Sequence, residues 1–190
     1  MNMLNLKERK LDTLYHFYIE NGDKLTIEEI AEGIGVTPKT IFNRYHSREE
    51  MENELQIYWR QQIINEVNRK MEFCSNQVEK LIFFIDEILT AQKKAPFFFE
   101  RELQLRRMFG EDPDPAFACA VQNIIDEDKD FDFFSSMVNP EIYSYYFVYV
   151  IFNVLSVNRN PQHIDFLLKP ALTEAGFEIL SDIDVERLLG

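Results

Sequence analysis

The chain has 190 residues, 46% of them hydrophobic, and a formal net charge of −13. This length and apolar content suffice for one large packed domain or two small ones. Two cysteines, Cys74 and Cys119, are too few and too widely separated for a disulfide framework or a zinc knuckle, which favours reduced thiols in a cytoplasmic protein. Residues 1–17 contain neither the uninterrupted apolar segment nor the small-residue cleavage site of a secretory signal.

The negative charge is distributed unevenly along the chain. Residues 1–72 carry 10 basic and 13 acidic side chains, whereas residues 73–190 carry 10 basic and 20 acidic ones. Residues 33–48 contain no acidic residue. Contact with phosphate groups depends on the surface that a protein presents rather than on its total charge. The acidic remainder should repel DNA, which favours a small, oriented contact through this one segment.

Residues 7–21 are the first predicted helix. Its apolar side chains recur at helical spacing on one face, at Leu11, Leu14, Tyr15 and Tyr18. Asn21-Gly22 is a stop signal for this helix. We expect it to pack across the back of the two helices that follow.

The next segment, residues 26–51, predicts two short helices joined by a tight turn. Thr26 and Glu29 have the spacing of a capping box, in which each side chain bonds the other residue's backbone amide. Apolar residues then recur on one helical face, at Ile27, Ile30, Ala31 and Ile34. Gly35 follows directly, where a helix commonly ends in a left-handed residue.

The second short helix is predicted to begin at Thr37-Pro38, a capping hydroxyl followed by a first-turn proline. Ile41 and Tyr45 form its inner face, and Ser47 with Glu50 makes a second capping box that starts a third helix. This pattern is typical of a helix-turn-helix, whose second helix enters the DNA major groove. An ordinary helical hairpin with the same turn chemistry is the alternative.

The run from Thr37 to Met51 resembles the TetR (tetracycline-repressor-like) family of regulators. Their signature is a recognition helix ending in paired aromatic residues, then a basic residue, a Ser or Asn cap and an acidic start to a long fourth helix. Residues 40–50, TIFNRYHSREE, match this pattern, and the specific match extends over about residues 7–55. Four residues differ from those of many members: Lys39 stands in place of Gly, Phe42 and Arg44 in place of Tyr, and His46 in place of Lys.

The resemblance implies an all-α fold with a DNA-binding domain over residues 1–47 and a helical ligand-binding and dimerisation domain over residues 48–190. Phe42 lacks the hydroxyl with which a tyrosine would bond a phosphate, so Lys39 and Arg44 are expected to supply phosphate contacts. Lys39, Thr40, Asn43 and Arg44 are predicted to face outward when Ile41 and Tyr45 face inward. The complete set of predicted DNA-binding residues is Thr26, Thr37, Pro38, Lys39, Thr40, Phe42, Asn43, Arg44, His46 and Arg48.

The remaining sequence predicts further helices. Residues 48–73 lack Gly and Pro and predict one long connecting helix, and three shorter helices follow over 78–91, 96–109 and 115–126. The acidic run 126–132 lacks the glycine and the terminal glutamate of an EF-hand loop, which favours a solvated loop over a calcium site. Two short helices are predicted within residues 163–189.

Residues 140–158 are apolar nearly all round, with only Ser144, Asn153 and Ser156 interrupting. The apolar run is shorter than the ~20 residues that a membrane span needs. A helix of this kind must be buried on every side, so we expect it to lie between its own domain and an identical partner subunit. The predicted dimer-interface residues are Tyr143, Phe147, Val150 and Val154.

Seventeen phenylalanines are a heavy load for this length. Most of them belong to a core, and some are expected to line an apolar effector pocket between helices. The pocket is predicted between the helices of 78–109 and 140–158, for a neutral or cationic, largely apolar molecule. Its predicted residues are Phe97, Phe98, Arg101, Tyr146 and Asn153. Asn153 is open to a second interpretation, as a polar residue that fixes the register of the dimer.

No catalytic or metal-binding pattern is present in the sequence. His16, His46 and His163 each lack a second His or Cys at metal-ligand spacing, and the six glycines do not form a phosphate-binding loop. The sequence therefore predicts neither an enzyme nor a bound metal or cofactor.

The combined prediction is a homodimeric transcriptional regulator, acting as a repressor. It binds a palindromic double-stranded DNA operator and is released from it by a small apolar effector. The alternative is a helical homodimeric protein-interaction module that has lost DNA binding, which the net charge and Phe42 favour.

Overall fold

Helices account for nearly all of the secondary structure in the computed structural model, which describes residues 3–109, 115–128, 132–158 and 160–184. The predicted all-α class is confirmed. Ten α-helices follow one another in the described part of the chain: α1 Met3–Asn21, α2 Ile27–Gly33, α3 Pro38–Tyr45, α4 Arg48–Met71, α5 Gln77–Lys94, α6 Pro96–Phe109, α7 Ala116–Asp126, α8 Pro140–Val150, α9 Pro161–Leu168 and α10 Glu174–Asp182. A π-helical turn, Ile151–Leu155, continues α8.

The predicted helix boundaries hold to within a few residues. The first helix begins at Met3 rather than residue 7. The helix predicted over 78–91 begins at Gln77, because the Asn76 side chain caps it there, and continues to Lys94. The acidic run 126–132 is described only in part. Asp126 ends α7, and the Asp128 carboxylate accepts a hydrogen bond from the Phe134 amide at 2.8 Å. Residues 129–131 lie outside the described residues.

The N-terminal helices α1, α2 and α3 pack together against the first half of α4, and we call this unit the head. Its core consists of side chains that are almost completely buried: Leu14, Tyr18, Ile30, Ala31, Ile41, Tyr45, Met51 and Leu55. The predicted inward positions Ile41 and Tyr45 are among them. Helix α4 therefore contributes to the head with one end and continues beyond it.

The remaining helices, which we call the body, pack around aromatic rings. Phe99 and Phe152 stack with ring centroids 4.8 Å apart, and Phe117 lies 5.6 Å from Phe152. Phe84 and Phe147 are 6.2 Å apart. All five are fully buried. These phenylalanines are core residues, and each buried ring contributes on the order of a few kcal/mol through the apolar area removed from water.

Helix α8 is buried on one side only. Phe147 and Val148 face the body and are completely buried, whereas Ile142 is 70% exposed and Tyr149 is 60% exposed. Within one protomer the body covers just one face of α8, and burial of the other face by a partner subunit stays a prediction. In the described part of the chain, no helix combines the length and the apolar character that crossing a membrane requires.

Candidate nucleic-acid interface

The first helix of the predicted helix-turn-helix is capped as expected. The Thr26 hydroxyl accepts a hydrogen bond from the Glu29 amide at 3.2 Å, and the Glu29 carboxylate accepts one from the Thr26 amide at 2.7 Å. The Thr26 amide and the Thr26 hydroxyl both donate to the ionised carboxylate, which lowers the pKa of Glu29. The capping box therefore holds the start of α2, and the Thr26 side chain is engaged within its own helix.

Gly35 forms the corner between α2 and α3. Its φ angle is +68°, in the left-handed region that a side chain disfavours, although a Cβ atom there would meet nothing within 4 Å. The next residue, Val36, donates its amide to the Ala31 carbonyl at 2.8 Å. The requirement for glycine here is conformational, as the sequence predicted.

Helix α3 begins at the predicted cap. The Thr37 hydroxyl accepts a hydrogen bond from the Thr40 amide at 3.2 Å, and Pro38 occupies the first helical position. At the other end, Ser47 caps α4 by accepting the Glu50 amide at 3.1 Å. The Glu50 carboxylate lies 3.5 Å from His46 Nδ1. Of the second predicted capping box, the structure therefore describes the bond to the Ser47 hydroxyl but not the reciprocal bond to the Glu50 carboxylate.

One row of α3 side chains faces outward. Lys39, Thr40 and Asn43 are exposed, as predicted, while Ile41 and Tyr45 are buried. Phe42 extends this surface with an aromatic ring that is 48% exposed. The row thus offers one positive charge, hydrogen-bonding groups and an apolar ring, and its own helix carries no acidic side chain.

Arg44 does not belong to this outward row, contrary to the prediction. Its guanidinium lies 3.7 Å from the Glu54 carboxylate of α4 and 4.8 Å from the centre of the Tyr45 ring. The side chain is only 20% exposed. Attraction to a carboxylate and an aromatic face holds it against α4.

Arg48 is also held by hydrogen bonds within the protein, although 38% of its side chain is exposed. Its Nε donates to Glu52 Oε1 at 2.7 Å, and its two terminal nitrogens donate to the carbonyls of Asp23 and Leu25. One guanidinium therefore fastens the loop between α1 and α2 to the start of α4. Sequence spacing could not show this, because the partners are 23 and 25 residues away.

Polar contacts continue from Glu52 into the body. The Arg101 guanidinium of α6 lies 3.4 Å from the Glu52 carboxylate and donates to Asn53 at 2.7 Å. One and two helical turns further along α4, Gln56 and Arg60 donate to the fully buried carboxylate of Glu102 at 2.9 and 2.7 Å. Arg101, predicted to face an effector, is therefore bound to α4. Glu102 gave no sequence signal, because its partners lie more than 40 residues away.

No protein-family model and no curated protein matches the sequence, but solved structures match its fold. The fatty acid degradation regulator FadR from Bacillus halodurans aligns at a TM-score of 0.60 and 13% identity, over 97% of this chain and 98% of that one. A TetR-family regulator from Rhodococcus sp. aligns at 0.59 and 14%, over 96% of both chains. This chain has the TetR-family fold. AibR in complex with isovaleryl coenzyme A and operator DNA also aligns, at 0.52 and 12% identity, over 87% of this chain and 97% of that one.

Within this TetR-like fold, the five predicted effector-binding residues do not surround one cavity. Phe97 and Phe98 line a cleft of about 300 Å³ beside α1. Tyr146 is 51% exposed on the outer face of α8, and the Asn153 side chain donates to the Tyr149 carbonyl of its own helix at 3.0 Å. The predicted position between 78–109 and 140–158 is wrong, because stacked core rings from both segments fill that space.

The predicted dimer contacts also need correction. Phe147 and Val150 are buried within the protomer, and the Tyr143 hydroxyl donates to the Leu167 carbonyl at 2.7 Å. Val154 is half-buried. An alternative row, spaced at three and four residues, is exposed on the opposite face of α8: Ile142, Tyr145, Tyr146 and Tyr149. Two of the four predicted contact residues, Phe147 and Val150, therefore face the body, and a role of this helix in a dimer stays a prediction.

Proposed function

We propose that the chain is a homodimeric DNA-binding transcriptional regulator whose operator affinity is controlled by a small molecule. The outward row of α3 carries this proposal, because it is polar, free of acidic residues and held by caps at both ends of the helix. A helix presented in this way fits the major groove, where base edges offer donors and acceptors. The TetR-like fold supports the same conclusion.

The charge distribution supports an oriented contact. Lys39 is exposed on α3, and residues 33–48 contain no carboxylate, whereas residues 73–190 carry a large acidic excess. Phosphates should therefore be repelled least at α3, where Lys39 is exposed, and most strongly by the acidic body. DNA should bind in one orientation, with the body directed away from it.

The exposed row on α8 supports a homodimer. Four uncharged, mostly aromatic side chains lie along one helical face, and exposure of such a surface to water is unfavourable. A second copy of α8 offers the same chemistry and, around a twofold axis, the same residues in reverse order. Two heads related by that axis would match a palindromic operator with half-sites about 34–36 Å apart or a multiple of that distance.

The effector acts by favouring one arrangement of head and body. Helix α4 belongs to both units, and Arg48, Glu52 and Arg101 link the α1–α2 loop to α6. A ligand that changes how α6 or α1 sits on α4 changes the position of α3. A ligand shifts this equilibrium only by its difference in affinity for the two arrangements.

Selection of binding sequences from a random double-stranded DNA library tests the proposal. The selected DNA should contain a palindrome, and its affinity, measured by fluorescence anisotropy at two salt concentrations, should fall steeply as salt rises. Lys39→Ala should weaken binding and reduce the salt dependence by about one charge. Lys93→Ala, an exposed lysine on α5, is the matched control and should leave both quantities unchanged.

The protein-interaction module is favoured by two observations, the net charge of −13 and the exposed Phe42 ring. It predicts that no sequence is enriched from the library and that Phe42→Ala has no effect on residual DNA affinity. Enrichment of a palindrome that Lys39→Ala weakens would exclude it.

A further inference from the structure

An open cleft of about 510 Å³ lies at the junction between the head and the body. Trp59 and Ile63 of α4 and Ala91 of α5 form part of its lining and are almost fully buried, while Tyr15 and Ile19 contribute from α1. This volume lies within the range of small-molecule sites, about 300–1,000 Å³, which are mostly apolar. A molecule in this cleft would touch both the head and the body.

A second cleft, of about 300 Å³, adjoins the first and shares Ile19 and Ala95 with it. It is lined by Tyr18, whose side chain is 97% buried. The Tyr18 hydroxyl has no hydrogen-bond partner within the described residues, and burial raises its pKa to about 12. The C-terminal half of α1 thus lines both clefts. In the smaller cleft its Tyr18 hydroxyl is a buried hydrogen-bond donor, to which an oxygen atom of a ligand could bind.

Glu66, Glu87 and Lys94 line the larger cleft; the two carboxylates have cationic partners, whereas Lys94 is exposed. The Glu87 carboxylate binds the Lys70 ammonium, and the Glu66 carboxylate binds Arg69 at 2.6 Å. The buried part of the lining is apolar, so a charged group placed against Trp59, Ile63 and Ala91 would lose hydration without an opposite charge beside it, which is costly. Gln62 and Thr90 add uncharged hydrogen-bonding groups to the lining.

We infer that the larger cleft, extended by the adjoining smaller cleft that Tyr18 lines, is the effector site, and that its ligand is an uncharged, largely apolar molecule with a hydrogen-bond acceptor. The inference rests on the proposed function, since it assigns a site and a ligand class to the effector. Because the ligand would contact α1 on one side and α5 on the other, its affinity depends on how the head sits on the body. Occupation of the cleft therefore favours one head position and weakens DNA binding.

Two fluorescent probes with one ring system test the ligand class. N-phenyl-1-naphthylamine is neutral, and 8-anilino-1-naphthalenesulfonate adds a negative charge to the same skeleton. Trp59 is the only tryptophan in the chain and lines the cleft, so its fluorescence reports binding. The neutral probe should quench Trp59 saturably and bind at least tenfold more tightly than the sulfonate. Equal or tighter binding of the sulfonate would overturn the assigned ligand class.

Substitutions that fill the cleft test its location. Ala91→Leu and Thr90→Leu each place extra carbon atoms in the lining of the larger cleft and should weaken binding of the neutral probe at least tenfold. Ala120→Leu makes the same change in a separate surface cleft on α7, and it should alter the affinity less than twofold. Circular dichroism establishes whether each variant is folded. If Ala91→Leu does not fold, Thr90→Leu alone tests the location. Undiminished binding to a folded cleft-filling variant would overturn the location.

DNA binding is measured separately from probe binding. With the selected operator, a saturating concentration of the neutral probe should lower the affinity of the wild-type protein at least fivefold, and that of Thr90→Leu much less. If the protein selects no DNA sequence, the proposed function fails while the probe measurements still decide the site. If the operator is bound with unchanged affinity in the presence of the probe, the cleft is not the effector site.

Discussion

Helices α3 and α8 each leave one row of side chains exposed, and the two rows have opposite chemistry. The α3 row, Lys39, Thr40 and Asn43, is polar and carries one positive charge. The α8 row is uncharged and, except for Ile142, composed of tyrosines. Both rows follow helical spacing, because buried residues alternate with them: Ile41 and Tyr45 on α3, and Phe147 and Val148 on α8. What distinguishes the two helices is therefore the partner that each exposed row suits.

The difference has an energetic consequence. Polar side chains on α3 are well solvated, so leaving this row exposed to water costs little free energy. The apolar area on α8 costs about 25 cal/mol for each Å² that remains in water. We therefore expect the α3 surface to be covered reversibly and the α8 surface to be covered in the resting state of the protein.

The largest effect on stability should come from a substitution on the buried face of α8, and the same change on the exposed face should have a small effect. Phe147→Ala removes a fully buried ring that contacts Phe84 and should lower the free energy of unfolding by about 3–5 kcal/mol. Tyr146→Ala, one residue earlier on the exposed face, should cost far less in the folded protomer. Chemical denaturation of both variants at low protein concentration measures the contrast. Equal losses would show that the buried and exposed faces are assigned incorrectly.

A charge on the exposed face of α8 tests the proposed dimer. Tyr149→Asp should raise the dimer dissociation constant at least 100-fold, because a carboxylate near the twofold axis would be buried next to its own copy. Sedimentation velocity across a concentration series gives the constant. Glu141→Gln, an exposed change outside the aromatic row, should leave it unchanged. A wild-type protein that is monomeric at micromolar concentration would contradict the covered state of α8.

The α3 row should show smaller and sequence-dependent effects. Asn43→Ala should cost about 1–3 kcal/mol of operator binding at one base position if the amide bonds a base edge. Arg44→Ala, whose guanidinium is held by Glu54, should have little effect on the salt dependence of binding. Anisotropy with operators altered at single positions separates the two. If Arg44→Ala reduces the salt dependence of operator binding more than Lys39→Ala does, the residues of the outward row are assigned incorrectly.

The smallest effect concerns the cap that supports the recognition unit. Thr26→Ala should lower stability by about 0.5–2 kcal/mol. The pKa of Glu29 is lowered in the folded state, so its contribution is present above its usual pKa and is lost as pH falls through the lowered value. Thermal unfolding at pH 7 and pH 3 should therefore show that wild type and Thr26→Ala converge in acid. If the two melting temperatures differ by the same amount at both pH values, the Glu29 carboxylate does not contribute to the effect of the substitution.

The head could be predicted from sequence because its signals are local. The capping box at Thr26, the turn at Gly35 and the cap at Thr37 each involve residues within a few positions of one another, and the structure has all three. The spacing of Ile41 and Tyr45 likewise identified the buried face of α3. Local rules were sufficient wherever a residue's partner is close in sequence.

Long-range contacts explain the errors. Arg44 and Arg48 were expected at the DNA surface, but a carboxylate and two carbonyl groups elsewhere in the chain hold them. On α8, where almost every position is apolar, periodicity cannot distinguish the face that meets the body from the face that does not. The packing between 78–109 and 140–158, where an effector pocket was predicted, escaped the sequence for the same reason, since its contacting rings come from separate helices.

The length of α4 has a mechanical consequence. Its 24 residues span about 36 Å at 1.5 Å per residue, and Arg48 fastens the α1–α2 loop to its first turn. If α4 pivots near Met71, a tilt of roughly 5–6° displaces its first residue by about 3.4 Å, which is the spacing of successive base pairs. In a dimer both α4 helices would tilt. A rotation too small to disturb the packing around Phe99 and Phe152 would therefore still shift the two α3 helices relative to the grooves of the DNA.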